Sequence, residues 1–95
     1  MDIMTQLRKL FGDIAQNIEY DKSSNIYVVY GMKYGLRFDY KIDVNNFRYI
    51  LKLRHSDDFV FKDIEALGYM SMFLYKDLFE RTKELQNILN RLKRM

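Results

Sequence analysis

The feature that most constrains the fold is a strict alternation of apolar and polar residues in two neighbouring runs, residues 36–44 and 47–54. A period of two is typical of a β-strand that buries one face. Between the runs lie Asn45 and Asn46, a pair that tolerates the positive φ values needed by a two-residue hairpin turn. The sequence therefore predicts a β-hairpin.

The predicted turn sets the register of this hairpin, and the register agrees with the residues on both faces. On one face each apolar residue meets another, as Tyr40 meets Leu51. On the other face acids meet bases, as Asp39 meets Lys52. A slip of one residue would destroy this agreement. The core residues predicted by this register are Leu36, Phe38, Tyr40, Ile42, Tyr49, Leu51 and Leu53.

A further strand is predicted before the hairpin, over residues 25–31. We expect a three-residue loop over residues 32–34, which would pair Val28 with Phe38 and place Tyr27 on the exposed face. The three strands then form an antiparallel meander with the second strand in the centre. Because one face is apolar, helices must cover it.

Helical periodicity flanks the predicted sheet on both sides. Apolar residues at steps of three and four predict an amphipathic helix over residues 3–18, capped by Asp2. From Asp63 to the end the pattern is again helical, as one helix or as two with a break near Gly68 or Thr82. The predicted fold is therefore α+β in the order α-β-β-β-α, with the helices on one face. In the second helical part, the residues expected to be deeply buried are Tyr69, Met70, Met72, Phe73, Tyr75 and Phe79. The alternative is that Met70, Met72 and Phe73 form an adaptable groove for a partner.

The carboxy-terminal helix, if continuous over residues 64–94, is longer than the predicted sheet. It would span about 46 Å at 1.5 Å per residue, whereas the strands cover about 26–30 Å. Its apolar stripe continues into the overhang, where a second copy could cover it in a homodimer. The alternative is that the helix folds back, so that the stripe packs on the first helix of its own chain. The residues of the expected dimer interface are Leu85, Ile88, Leu89 and Leu92.

Length and composition predict a single domain spanning residues 1–95. The chain is 48% hydrophobic and has no proline, which excludes a disordered or low-complexity protein. No basic and apolar leader is visible, and the most apolar stretch, residues 66–75, is too short to cross a bilayer. We expect a cytoplasmic protein that does not bind a membrane. The absence of cysteine fits a reducing compartment.

A catalytic or metal-binding site has few candidate residues. His55 is the only histidine, and it lies at the end of the predicted hairpin. Residues 56–58, Ser-Asp-Asp, are interpreted as a turn and a helix start rather than as ligands. The four glycines match no phosphate-binding spacing. We therefore expect no enzymatic activity, no metal and no cofactor.

The exposed face of the predicted sheet is the candidate binding surface. Basic groups beside an aromatic ring could hold a phosphate backbone and stack a base, or they could bind an acidic protein. The simpler alternative is a solvated face with cross-strand ion pairs of small energy. Asp39 and Asp43 lower the net charge of this face and would repel phosphates. The candidate binding residues are Tyr27, Arg37, Lys41, Arg48, Lys52 and Arg54.

In element order, size and lack of catalytic residues, the whole chain resembles small phage-encoded inhibitors of the anti-CRISPR kind. The resemblance implies a viral, non-catalytic inhibitor of a host defence complex. Its partner would be a protein or ribonucleoprotein in the host cytoplasm. Many such inhibitors are acidic mimics of nucleic acid, whereas this chain has a formal net charge of +3, which argues against DNA mimicry. The alternative function is a nucleic-acid-binding domain that uses the outer face of the sheet.

Overall fold

The computed structural model describes residues 2–55 and 64–95, with side chains described for residues 2–53 and 72–95. The predicted α+β class is confirmed. The described part of the chain forms one sheet of four antiparallel strands in the order β1-β2-β3-β4, one strand more than predicted. The elements are α1 (Ile3–Phe11), β1 (Ala15–Asp21), β2 (Ile26–Lys33), β3 (Leu36–Asp43), β4 (Arg48–His55) and α2 (Ile64–Lys93).

The predicted register of the β3–β4 hairpin is confirmed. Tyr40 lies opposite Leu51, and Asp39 lies opposite Lys52. The turn is longer than predicted, because β3 ends at Asp43 and β4 begins at Arg48, which leaves four residues between the strands instead of two. The positive φ of 52° belongs to Phe47 rather than to the two asparagines. Asn46 instead donates its backbone N–H and its side-chain amide to the Asp43 carboxylate, at 3.3 and 2.7 Å.

The amino-terminal helix is shorter than predicted, and the prediction of a helix over residues 3–18 is wrong beyond residue 11. Asp2 caps its start by accepting the Met4 N–H at 3.3 Å. Gly12 stands at the C-cap, where a poor helix former ends the helix. Residues 15–21 then become β1, a strand that the spacing of Ile14 and Ile18 had concealed.

The β2–β3 register also differs from the prediction, because their turn has two residues instead of three. Tyr34 and Gly35 take φ values of 55° and 75°, the combination that suits a tight hairpin and matches strand twist. Lys33 therefore pairs with Leu36. This reverses the two faces of β2, so that Tyr27 and Val29 face the core while Val28 and Tyr30 lie on the outer face.

Gly31 explains why this register is possible. It lies opposite Phe38, and a Cβ at Gly31 would collide with the Phe38 ring. Phe38 is fully buried, so the ring occupies the space that a side chain on β2 would need. A glycine that looked incidental in the sequence therefore makes room for a core aromatic ring.

We predict that Gly31→Ala destabilises the protein by about 1–3 kcal/mol, because the added methyl group overpacks the core at Phe38. Urea unfolding followed by circular dichroism measures the loss. Met32→Ala is the control, since Met32 is exposed on the outer face and its replacement should change stability by less than about 0.5 kcal/mol. Equal urea midpoints for Gly31→Ala and the wild type would contradict this packing.

Both helices cover the inner face of the sheet, where one core cluster joins all the layers. Tyr40 lies at its centre, with its ring centroid 4.8 Å from that of Phe11. Its hydroxyl lies 2.7 Å from Thr82 Oγ1 and donates to the Leu78 carbonyl at 3.3 Å. Among the predicted core residues, those on β3 are buried, whereas Tyr49, Leu51 and Leu53 on β4 are only half-buried. The β4 side of the inner face is thus incompletely covered.

The carboxy-terminal part forms one helix of 30 residues, as the first of the two predicted alternatives has it, and the rival with a break near Gly68 or Thr82 is wrong. The expectation that its apolar stripe lies uncovered is wrong, because α1 packs alongside α2. The described chain itself buries three of the four expected interface residues and half-buries the fourth. These residues are Leu85, Ile88 and Leu89, with Leu92 half-buried. As folded, the stripe is not available to a second copy.

Candidate binding surfaces

Four of the six predicted binding residues lie together on the outer face of the sheet. They alternate with core residues along β3 and β4, and they are Arg37, Lys41, Arg48 and Lys52. Arg54 pairs with Arg37 in the backbone register, but its side chain lies outside the described residues.

Tyr27 was predicted to lie on this face, and that prediction is wrong. The two-residue turn reverses the faces of β2, so Tyr27 is only 7% exposed and stacks on Tyr20 with ring centroids 4.3 Å apart. Burial raises the pKa of its hydroxyl. Tyr30, at the same register position as Asp39, is the tyrosine that the outer face presents instead.

The charges described on the outer face cancel. Sequence analysis missed that β1 extends this face with Glu19 and Asp21, which join Asp39 and Asp43. The four acids balance the four bases named above. Within the face, Arg48 Nε lies 3.9 Å from Asp43 Oδ2. The hydrogen bond from Asn46 and the nearby Arg48 guanidinium keep the pKa of Asp43 below its ordinary value. A phosphate backbone therefore meets as many carboxylates as cations here.

A shallow depression of about 350 Å³ lies in the middle of this face. Its floor includes Ile50, whose side chain is 54% exposed, and its sides are charged. The residues that line it are Val28, Tyr30, Asp39, Lys41, Ile50 and Lys52.

A second surface, which we call the α2 patch, consists of exposed apolar residues on α2. Their side chains are 67%, 61%, 56% and 60% exposed, for Met72, Phe73, Tyr75 and Phe79 respectively. The prediction that these four are deeply buried is wrong, because α2 packs through one stripe only, with Leu74 and Leu78 towards the sheet. Tyr69 and Met70, predicted with them, have side chains outside the described residues.

Part of the α2 patch borders a groove between α2 and β4, which we call the β4 groove. Its volume is about 380 Å³. The cation of Lys83 lies 4.5 Å from the centroid of the Phe79 ring at its margin. The residues that line the β4 groove are Tyr49, Leu51, Tyr75, Leu78, Phe79 and Thr82. This groove exists because two helices do not fully cover the half-buried side chains of β4.

Arg81 is the most strongly bound cation in the described structure, and its role is structural. Its Nη1 and Nη2 donate to the Asp13 carboxylate at 2.7 and 2.8 Å, and Nη1 also donates to the Leu10 carbonyl at 2.6 Å. Its Nε donates to Asp77 at 2.9 Å, and Asp77 in turn accepts from Lys33 at 2.9 Å. The guanidinium is therefore engaged on both sides and does not contribute to either surface.

These contacts shift the pKa values of the acids involved. The hydrogen bonds from Arg81 lower the pKa of Asp13 from 3.8 to about 2. Burial opposes ionisation of Asp77, but hydrogen bonds from Arg81 and Lys33 outweigh it and lower the pKa of Asp77 as well. Hydrogen bonding to Asp13 raises the pKa of Arg81.

Neither surface resembles a catalytic or metal centre. Among the side chains that the structure describes, those of residues 2–53 and 72–95, no group of three or more histidine, cysteine or acidic residues could hold a metal ion. The side chain of His55 and residues 56–58 lie outside what the structure describes. The helices that are described include none long and apolar enough to cross a membrane.

No protein-family model, curated protein or solved structure matches this chain. The geometry and charge of the two surfaces are therefore the features of this protein that bear on its function.

The ion pairs of Arg81 predict acid sensitivity. A carboxylate whose pKa is depressed by folding stabilises the protein above its unfolded pKa, and this stabilisation is lost as the pH falls through the folded pKa. For Asp13 that interval runs from 3.8 to about 2. We expect Arg81→Met to lower the free energy of unfolding by about 2 kcal/mol at neutral pH, because charged hydrogen bonds disappear. Between pH 4 and 2 the variant should then lose less stability than the wild type does, because Asp13 no longer has this partner.

Urea unfolding at several pH values measures both effects. Lys83→Met is the control, because Lys83 is exposed and pairs only at 3.6 Å with Glu80. A variant at Arg81 that keeps the acid dependence of the wild type would show that these contacts do not contribute to stability.

Proposed function

We propose that this chain is a small non-catalytic binding protein, an inhibitor or regulator that acts by blocking a macromolecular partner. The observation that carries the proposal is the α2 patch. Four large apolar side chains, each more than half exposed, lie within eight residues of one helix.

The composition of the α2 patch supports binding to a protein. Aromatic residues and methionine are enriched at the centres of protein interfaces, where burial of their large apolar area contributes most of the binding energy. Contiguous apolar area on a surface marks interaction sites more often than scattered single residues do. Met72, Tyr75 and Phe79 also recur at helical spacing, so one partner surface can contact them together.

The partner that we propose is a protein or ribonucleoprotein. The resemblance to phage-encoded inhibitors of the anti-CRISPR kind suggests a host defence complex, and this part of the proposal rests on the resemblance alone. Because binding would act by occlusion, it requires no cofactor and no reactive side chain on this protein.

Nucleic-acid binding by the outer face is the second candidate function. It is supported by the depression where Tyr30 lies beside Lys41 and Lys52, an arrangement that could stack one base between two phosphate contacts. The balancing acids Glu19, Asp21, Asp39 and Asp43 make it the weaker candidate.

The proposed function predicts a surface-dependent capture. The tagged full chain, incubated with an extract of the host cell, should retain a partner that the double variant Tyr75→Ser, Phe79→Ser fails to retain. The control is Lys41→Gln on β3 of the outer face, away from both the α2 patch and the β4 groove. Quantitative mass spectrometry of the bound fractions compares the three. Identical bound fractions for all three proteins would refute the proposed function.

The nucleic-acid alternative predicts a mobility shift that depends on salt. Each phosphate contact should weaken binding by roughly 0.7 to 0.9 of a log unit for each log unit of salt. A gel-shift series with single- and double-stranded DNA and RNA at two salt concentrations measures this. The absence of any shift at low salt eliminates the alternative, whereas a shift abolished by Lys41→Gln supports it.

A further inference from the structure

The outer edge of β4 offers a backbone as well as a groove. Among residues 2–55 and 64–95, β4 pairs only with β3. Val44 donates its N–H to the Asn25 carbonyl at 3.3 Å. Asn25 immediately precedes β2, so the Val44 N–H points towards the β2 side of β3. Because backbone N–H directions alternate along a strand, alternate residues of β3 point towards β4, and these include Asp39 and Lys41. Their partners on β4 are Lys52 and Ile50.

The remaining residues of β4 therefore direct their N–H and C=O groups away from the sheet. These are the groove-lining Tyr49 and Leu51, together with Leu53. An edge of this kind is a template for an added strand.

The side chains around this edge define what an added strand must carry. Residues directly opposite one another in a sheet share a face. Positions opposite Tyr49 and Leu51 would point into the β4 groove, against the exposed rings of Tyr75 and Phe79, so they should be apolar. Positions opposite Arg48 and Lys52 would point to the outer face, where they face these two cations, with the exposed Ile50 between them.

Opposite charges across a strand pair are favourable and like charges are not. The complementary segment therefore alternates apolar and acidic residues.

A second copy of this chain fits less well. Two β4 edges paired antiparallel about Ile50 would place Arg48 opposite Lys52, which sets like charges against each other. The β1 strand has the right alternation, with Ile18 and Tyr20 on one face and acids on the other. However, its register is broken by an irregularity between Ala15 and Asn17, and bulges of this kind disrupt edge pairing.

We propose that β4 binds an extended segment of a partner protein, in which apolar and acidic residues alternate, as a fifth strand of the sheet. The apolar side chains fill the β4 groove, and the acidic side chains lie beside Arg48 and Lys52. This inference rests on the proposed binding function and names the chemistry of the partner.

Synthetic peptides test the inference with the full chain. The probe is a labelled nine-residue peptide of alternating glutamate and valine, followed by fluorescence anisotropy. A peptide of alternating lysine and valine, and one of the same composition as the probe in a Glu-Glu-Val-Val pattern, should each bind at least about tenfold more weakly, because they lose charge complementarity or face alternation. If binding of the probe does not saturate at protein concentrations up to about 1 mM, the inference is overturned. A Kd of 1 mM corresponds to a binding free energy of about −4 kcal/mol.

Phe79 and Phe73 provide a matched pair of variants. Both rings are on α2 and nearly equally exposed, at 60% and 61%, but Phe79 lines the β4 groove whereas Phe73 lies 6.3 Å from the ring of Tyr34. Phe79→Ala should weaken binding of the probe by about tenfold and Phe73→Ala by less than about twofold. Equal effects would overturn the assignment to the groove. Lys52→Glu leaves Arg48 opposed by a carboxylate and should abolish most of the preference for the glutamate peptide over the lysine peptide.

Backbone pairing has its own signature. On binding the probe, the amide protons of Tyr49, Leu51 and Leu53 should exchange more slowly by NMR, whereas the already paired amides of Ile50 and Lys52 should change little. Protection confined to other strands would overturn the inference. Self-association of the chain that depends on concentration and is abolished by Glu19→Lys would also overturn it, because β1 of a second copy would then be the occupant.

If no peptide binds, but the Tyr75→Ser, Phe79→Ser variant still fails to retain a partner from the host extract, the proposed function stands and this inference fails. If peptides bind as expected but the bound fractions are identical for all three proteins, the groove is a site and the proposed function fails.

Discussion

The position of α2 over the sheet depends on Arg81. Its guanidinium joins α2 to a region 68 to 71 residues earlier in the chain, the end of α1 through the Leu10 carbonyl and the following turn through Asp13. Within α2 it also donates to Asp77. Asp77 extends the network to β2 through Lys33. With its side chain only 15% exposed, Arg81 holds α2 at one angle and determines which of its faces are left to solvent.

This constraint explains how the β4 groove and the α2 patch arise. Because α2 is held towards the α1 side, its leucine stripe covers the centre of the sheet, where Tyr40 is fully buried. The inner side chains of β4 are left half-covered, and the aromatic residues on the neighbouring face of α2 remain exposed. The β4 groove and the α2 patch therefore follow from the same packing as the core.

The sequence predicted best where two independent patterns agree. In the β3–β4 hairpin, the apolar and charged faces both require one register, and the structure has that register. It predicted β2 less well, because apolar residues occupy both faces and either register places some of them in the core. The turn at Tyr34-Gly35 decided between the registers, and only a tight turn allows Gly31 to accommodate Phe38.

Residues 15–18, the first half of β1, were predicted as helix because Ile14 and Ile18 fit helical and extended periods equally. The alternation of Ile18, Glu19, Tyr20 and Asp21 was the signal that could have identified β1. The sequence offered both core and a partner-binding groove for Met70, Met72 and Phe73 but could not decide between them, because a helix that is apolar on several sides has the same pattern whether protein or water covers it.

The two edge strands of the sheet carry charges of opposite sign on the outer face. Glu19 and Asp21 lie on β1, whereas Arg48 and Lys52 lie on β4. Three interstrand spacings separate them, roughly 14 Å, so the sheet carries an electric dipole across its strands even though the charges described on its face sum to zero. Such a dipole exerts a torque on an approaching charged molecule and can orient it before contact. Since the screening length in physiological salt is about 8 Å, this orientation is confined to the last nanometre of approach. It therefore affects the alignment of an encounter complex more than the frequency of encounters.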